Sequence, residues 1–250
     1  MMYIIRSEEP EHLTNNKEAW TQPWIEHYRK IKDDNGNLKK EKKPTDSHWT
    51  NDLLRNILIG DFKNNCGYCG CSRPTPKSGT DKKRAPRGHV DHYRAKAIYP
   101  ELTYEWTNYI WSCESCNLEK GEFDNPEYPL LNPCDKADCE LLTYVIDTGI
   151  YCLKSNNDIS IKRFENTDKM TMINANEVAI RRRNRVKILI SSFESISFFI
   201  EYPNSKDYIN NCIQDIINSL EDQEFFFLMK EKYQDLQIKN PAVAELIDTY

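Results

Sequence analysis

Apolar positions in this chain recur at helical spacing over long stretches and alternate over a few short ones. Leu53, Leu54, Ile57, Leu58 and Phe62 share one face of a predicted helix that Thr50 or Asn51 can cap. Trp20 and Trp24, four residues apart, predict a second helix docked through its indoles. Val186, Leu189, Phe193, Ile196 and Ile200 make a stripe, and Asn174 with Glu177 predicts a capping-box start ahead of it. Pro203 breaks that pattern. Ile209, Cys212, Ile213, Ile216 and Leu220 predict the next helix, and residues 225–236 another. Tyr3-Ile4-Ile5-Arg6 and Gly88-His89-Val90-Asp91-His92 read as short strands, the latter with His89 and Asp91 on one face and His92 on the other. Residues 141–153 read as a hairpin around Asp147-Thr148-Gly149.

The intervening segments are polar or aromatic. Asp33-Asp34-Asn35-Gly36-Asn37 is turn chemistry, Lys39-Lys40-Glu41-Lys42-Lys43 a solvated run, and residues 72–87 a flexible basic loop. Tyr99, Tyr104, Trp106, Tyr109 and Trp111 could stack bases, but filling a small core is the simpler use. This organisation divides the chain into an N-terminal region of a strand and helices (1–61), a central module (62–133), and a hairpin followed by helices (134–250). There is no internal repeat and no glycine-rich phosphate loop.

At 250 residues, 39% hydrophobic and 29% charged, the composition is that of an ordinary globular protein. No apolar run approaches the roughly 20 residues that span a bilayer, and the first residues lack a signal-peptide apolar region. Nine cysteines without an export signal predict free thiols and metal ligation, and a cytoplasmic setting. The net charge of −5 would disfavour nucleic acid, but its distribution changes the picture. Residues 73–96 carry eight basic side chains against two acidic, whereas 194–250 carry eleven acidic against four basic.

Candidate chemistry concentrates between Cys66 and Gly121. Cys66-Gly67-Tyr68-Cys69 and Cys113-Glu114-Ser115-Cys116 are two CxxC pairs, the spacing of a structural zinc site. Such a closed four-thiolate shell has no open position for water. Cys71 could replace Cys69, though the two-residue spacing favours Cys69. Cys134 and Cys139 lack a partner pair and read as structural thiols. His89 fits either a metal-site auxiliary or an ordinary strand histidine. The basic run Arg181–Lys187 fits either a phosphate- or partner-facing strip or a solvated face.

The stretch from Cys66 to Gly121, with Asp91-His92, Asn108 and Asn117 framed by the two pairs, resembles the HNH nucleases of the ββα-metal class that carry a four-cysteine zinc. The resemblance implies an α+β fold, a ββα-metal module followed by a mainly helical C-terminal region. It implies His92 as general base, Asp91 and Asn117 as ligands of a catalytic Mg²⁺ or Mn²⁺, and Asn108 as the residue that fixes the loop. In that setting Arg94, Lys96 and Lys120 are candidate contacts to nucleic acid, DNA foremost; Lys120 fits a phosphate contact or a support of the metal shell, and equally an exposed helix lysine. More loosely, the N-terminal strand with Glu9-Pro10, His92-Tyr93-Arg94-Ala95-Lys96, Ser112-Cys113 through Asn117 and Tyr128-Pro129-Leu130-Leu131 resemble the HNH subunits, PtuB, of Septu-type and retron-linked antiphage defence systems. Asp91 and Ala95 depart from the Glu and Pro common there. That likeness implies an ATPase partner of the PtuA type. A zinc-ribbon-like binding module with a vestigial nuclease site is the alternative, and a homing or restriction-type HNH enzyme lacks any visible sequence-reading element here.

Overall fold

The computed structural model describes residues 1–29, 43–44, 48–72, 88–202 and 204–249. The turn at 33–37, the lysines at 39–42 and the basic loop at 73–87 lie outside the described residues. The described residues form a mainly helical α+β structure with two small antiparallel sheets.

Residues 3–6 do not form the expected strand. Ile4 is buried and donates one backbone bond to Pro133 O (2.9 Å), and among the described residues no strand pairs with the segment. Arg6 instead anchors it, bonding Asp61 (3.2 Å) and the carbonyl of Tyr109 (2.6 Å). Helix α1 (Glu11–Thr14) leads into α2 (Lys17–Arg29), which buries Trp24 as its spacing predicts. Asn51 caps α3 (Asp52–Asp61) by accepting from Leu53 N at 2.8 Å, and Leu54, Leu58 and Phe62 are buried on one face. Each such side chain contributes roughly 1.5–3 kcal/mol of transfer free energy.

Strand β1 (Gly88–His92) pairs antiparallel with β2 (Tyr109–Cys113), placing Val90 opposite Trp111 and His92 opposite Tyr109. Only glycine fits at 88, since a Cβ there would lie 2.1 Å from the Trp111 ring. Helix α4 (Glu114–Lys120) starts inside the second CxxC. The Cys113 sulfur accepts from Cys116 N (3.4 Å), so a thiol of the second CxxC pair doubles as the helix cap.

Beyond α5 (Lys136–Glu140), strands β3 (Leu142–Val145) and β4 (Ile150–Leu153) form the expected hairpin. Helix α6 (Asp158–Met170), capped by Asn157, holds the 129–130 carbonyls through Arg163. Asn174 does not cap the long helix α7 (Asn176–Phe199). Its amide instead clamps the backbone of Tyr151, accepting from N (2.8 Å) and donating to O (2.9 Å). Along α7, Val186, Leu189, Phe193 and Ile196 are buried, while Ile200 just past its end is exposed.

Helices α8 (Lys206–Glu221), α9 (Phe226–Lys239) and α10 (Pro241–Asp248) pack on α7. One continuous core holds Ile4, the cluster cysteines, Phe193, Ile213, Leu228 and Ile247 together. Phe225 takes a left-handed backbone (φ 58), uncommon for a bulky residue, and donates its amide to Gly70 O (3.1 Å). Phe226 N donates to Asn65 Oδ1 at 3.2 Å, so the α8–α9 turn sits directly on the first CxxC loop.

Candidate functional site

The four sulfurs of Cys66, Cys69, Cys113 and Cys116 all lie within 4.8 Å of one another, and all four residues are buried. Cys69 and Cys113 are 3.8 Å apart, close to the edge of a tetrahedron whose zinc–sulfur bonds are about 2.3 Å. Burial pushes the Cys66 thiol up, but hydrogen bonds from Cys113, Cys116 and Cys69 outweigh it and hold the thiol well below its ordinary range. Burial and its neighbours push Cys116 well above it. Packed thiols cannot all ionise without a cation among them, and this donor set suits zinc. Cys71 stands outside the cluster, its sulfur accepting from Arg181 at 3.2 Å. Cys134 and Cys139 are pushed up by burial to about 11 and about 12, as structural thiols are.

Asp91 and His92 end β1 and point to opposite sides. Asp91 is 5% exposed; its Oδ2 accepts from the Tyr68 hydroxyl (2.7 Å) and its Oδ1 from Lys120 Nζ (3.2 Å). Burial raises its carboxyl despite the Lys120 ammonium and the Tyr68 bond. Lys120 also donates to the carbonyl of His92 at 2.6 Å. At 1% exposure its ammonium lies inside the protein against Asp91 and the His92 carbonyl, so it is not the exposed helix lysine the sequence also allowed. Asn117 precedes it by three positions on α4, hence on the same helix face, and is half-buried.

His92 is 6% exposed and wedged edge-on between Trp49 (4.9 Å) and Tyr109 (5.3 Å). Its Nε2 lies 2.9 Å from Thr103 O. A carbonyl only accepts, so Nε2 carries the hydrogen and Nδ1 the lone pair. Burial first, then the charges of Lys96 and Lys120, lower the imidazole to about 3. Asn108 ties the loop down: Oδ1 accepts from Arg94 N (2.7 Å) and Nδ2 donates to Leu102 O (3.0 Å) and Arg94 O (3.1 Å).

Arg94 pairs with Asp124 (2.9 Å) and stacks over Tyr99. Lys96 is half-buried over Trp24 and Trp49, with its ammonium lowered first by burial and then by Lys43. His89 has a buried Nε2 with no partner among the described residues.

The basic run on α7 turns inward. Arg182, 1% exposed, donates to the carbonyls of Gly149 (2.7 Å), Cys69 (2.9 Å) and Ile173 (2.8 Å). Arg181 pairs with Glu224 and Arg185 with Asp222, both at 2.7 Å. Arg181, Arg182 and Arg185 are thus taken up by helix-to-loop bonding, while Lys187 keeps the solvated position the sequence allowed for part of the run. Tyr68, Thr103 and Trp49 were not singled out in the sequence. Tyr68, a hydroxyl between two ligand cysteines, carried a readable signal, whereas Thr103 acts through its backbone.

The chain is similar to a Septu protein. It is 27% identical to Septu protein PtuB of Bacillus thuringiensis over 133 residues, 53% of this chain. The chain covers 42% of the length of that relative. No family model matches. Among the described residues no helix is long and apolar enough to cross a membrane.

Proposed function

We propose that this protein is an HNH endonuclease that hydrolyses phosphodiester bonds in nucleic acid, DNA foremost, as the effector of an antiphage defence system. The observation that carries it is the Lys120–Asp91 contact. It joins the Asp-His strand end to the helix bearing Asn117, between the two halves of the cysteine cluster.

Asp91 and Asn117 would hold one hard divalent ion. Tyr68 and Lys120 use one lone pair on each carboxylate oxygen and leave one on each, and the amide adds a third hard donor. An Mg²⁺ or Mn²⁺ held by these two side chains would supply Lewis acidity for the phosphoryl transfer. His92 Nδ1, neutral at physiological pH, takes the proton of the attacking water while Thr103 fixes its tautomer. An anionic phosphate beside the ring raises its basicity from the depressed value. Asn108 shapes the loop and does no chemistry. The cysteine cluster, with zinc, is structural.

The likeness to PtuB supports a partner protein, an ATPase of the PtuA type. The test is plasmid cleavage with Mg²⁺ or Mn²⁺ by wild type and His92→Ala, beside zinc content. Cleavage retained without His92 overturns the mechanism, and no cleavage by wild type with its partner leaves a binding module.

A further inference from the structure

Asp91 is gripped from two directions, and each grip is rooted in one half of the cysteine cluster. Tyr68, fully buried, lies between Cys66 and Cys69 and reaches Oδ2 at 2.7 Å. Its loop is fixed by Cys66 N to Cys71 O (2.9 Å), Gly70 N to Cys66 O (2.8 Å) and Gly67 N to Trp111 O (2.8 Å). Lys120 reaches Oδ1 from α4, which is capped by Cys113 and holds Cys116 in its first turn. A carboxylate on a strand end could otherwise turn about its last side-chain bond. With a phenol on one oxygen and an ammonium on the other, it cannot.

We propose that Tyr68 is a positioning residue through which the zinc site sets the orientation of Asp91, and so its affinity for the divalent ion. This rests on the reading of Asp91 as a ligand of that ion. Without the Tyr68 hydroxyl the carboxylate is free to swing wholly onto Lys120, pairing with the ammonium in place of the metal. The expectation follows the general behaviour of groups that hold metal ligands, whose loss weakens affinity about 10–100-fold.

The experiment uses the full zinc-loaded chain and Tyr68→Phe, with Mn²⁺ binding followed by the electron paramagnetic resonance signal of free Mn²⁺. Zinc content should stay at the wild-type value and the Mn²⁺ dissociation constant should rise about tenfold or more. An unchanged constant with zinc retained overturns the proposal. A cycle of Tyr68→Phe and Asp91→Asn, read by thermal unfolding without Mn²⁺, tests the grip apart from the metal. Non-additive shifts support it and additive shifts overturn it. If wild type takes up no Mn²⁺, the nuclease reading fails together with the metal half of the proposal, and non-additivity would still uphold the grip. Should Tyr68→Phe lose zinc, 3-fluorotyrosine at position 68 keeps the hydroxyl on Asp91 at nearly constant size; the Mn²⁺ constant should then stay near the wild-type value, and a tenfold rise with zinc retained overturns the proposal.

Discussion

Arg182 of helix α7 donates a hydrogen bond of 2.9 Å to the carbonyl oxygen of Cys69. The same guanidinium holds Gly149 and Ile173 and lies 4.6 Å over the Tyr151 ring. A buried cation with three carbonyl partners is costly to remove, because the carbonyls are left unsatisfied. Arg182→Met should lower stability by about 1–3 kcal/mol for each carbonyl left unsatisfied, read as a fall in the denaturant midpoint at unchanged slope. Zinc content should also fall, since the Cys69 backbone loses its brace.

His92→Ala should abolish metal-dependent cleavage, a general-base loss of about 10²–10⁴-fold. The protein should keep one zinc per chain, because His92 lies outside the thiol cluster. Its melting temperature should drop, since the ring fills the gap between Trp49 and Tyr109. Plasmid nicking, metal analysis and a thermal melt check the three parts together.

Cys113→Ser should behave otherwise. That sulfur belongs to the cluster and also caps α4, so both the metal site and the helix start are lost. Apparent zinc binding in small domains is worth roughly 10–16 kcal/mol. The expected product is zinc-free and insoluble or partly unfolded, and native mass spectrometry of wild type should count one zinc.

Acid should destabilise the protein through His92. Its folded-state value of about 3 lies below the ordinary 6.5, so the unfolded chain takes up the proton first. The contribution is complete above about pH 6.5 and is lost as pH falls toward 3, by about 1.4 kcal/mol for each pH unit. Unfolding curves from pH 7 to 4 should show this slope in wild type and a shallower one in His92→Ala.

The partner should be sought at the α7–α8 end. Phe198 (64% exposed) and Tyr202 (55%) stack with rings 5.8 Å apart, beside exposed Glu201 and Asp207. Deleting α8–α10 is a poor test, because Ile213, Ile216 and Leu228 belong to the core that also holds the cluster cysteines. Phe198→Ser with Tyr202→Ser should leave the fold intact and reduce co-purification with the ATPase; undiminished capture would place the contact elsewhere.

Periodicity was enough to find α3, its Asn51 cap, the 142–153 hairpin and the buried stripes of α7 and α8, because each depends on neighbours in sequence. The two CxxC pairs were legible for the same reason. What escaped depends on distant chain. Arg182 looked solvent-facing until the hairpin and zinc loop supplied carbonyls for it. Lys120 carried no mark of burial, since its partner carboxylate is 29 residues away. Asn174 had a cap-like spacing, but the Tyr151 backbone outcompeted the helix for its amide. Residues 3–6 had strand composition and found no strand to join.

The contact of Phe225 with Gly70, and of Phe226 with Asn65 161 positions earlier, also has a consequence in time. At synthesis rates of about 5–20 residues per second, the cysteine loop leaves the ribosome roughly ten to thirty seconds before the turn that rests on it. During that interval the loop must hold its shape on the cluster and on Arg182, without that turn, or be held by something else in the cell.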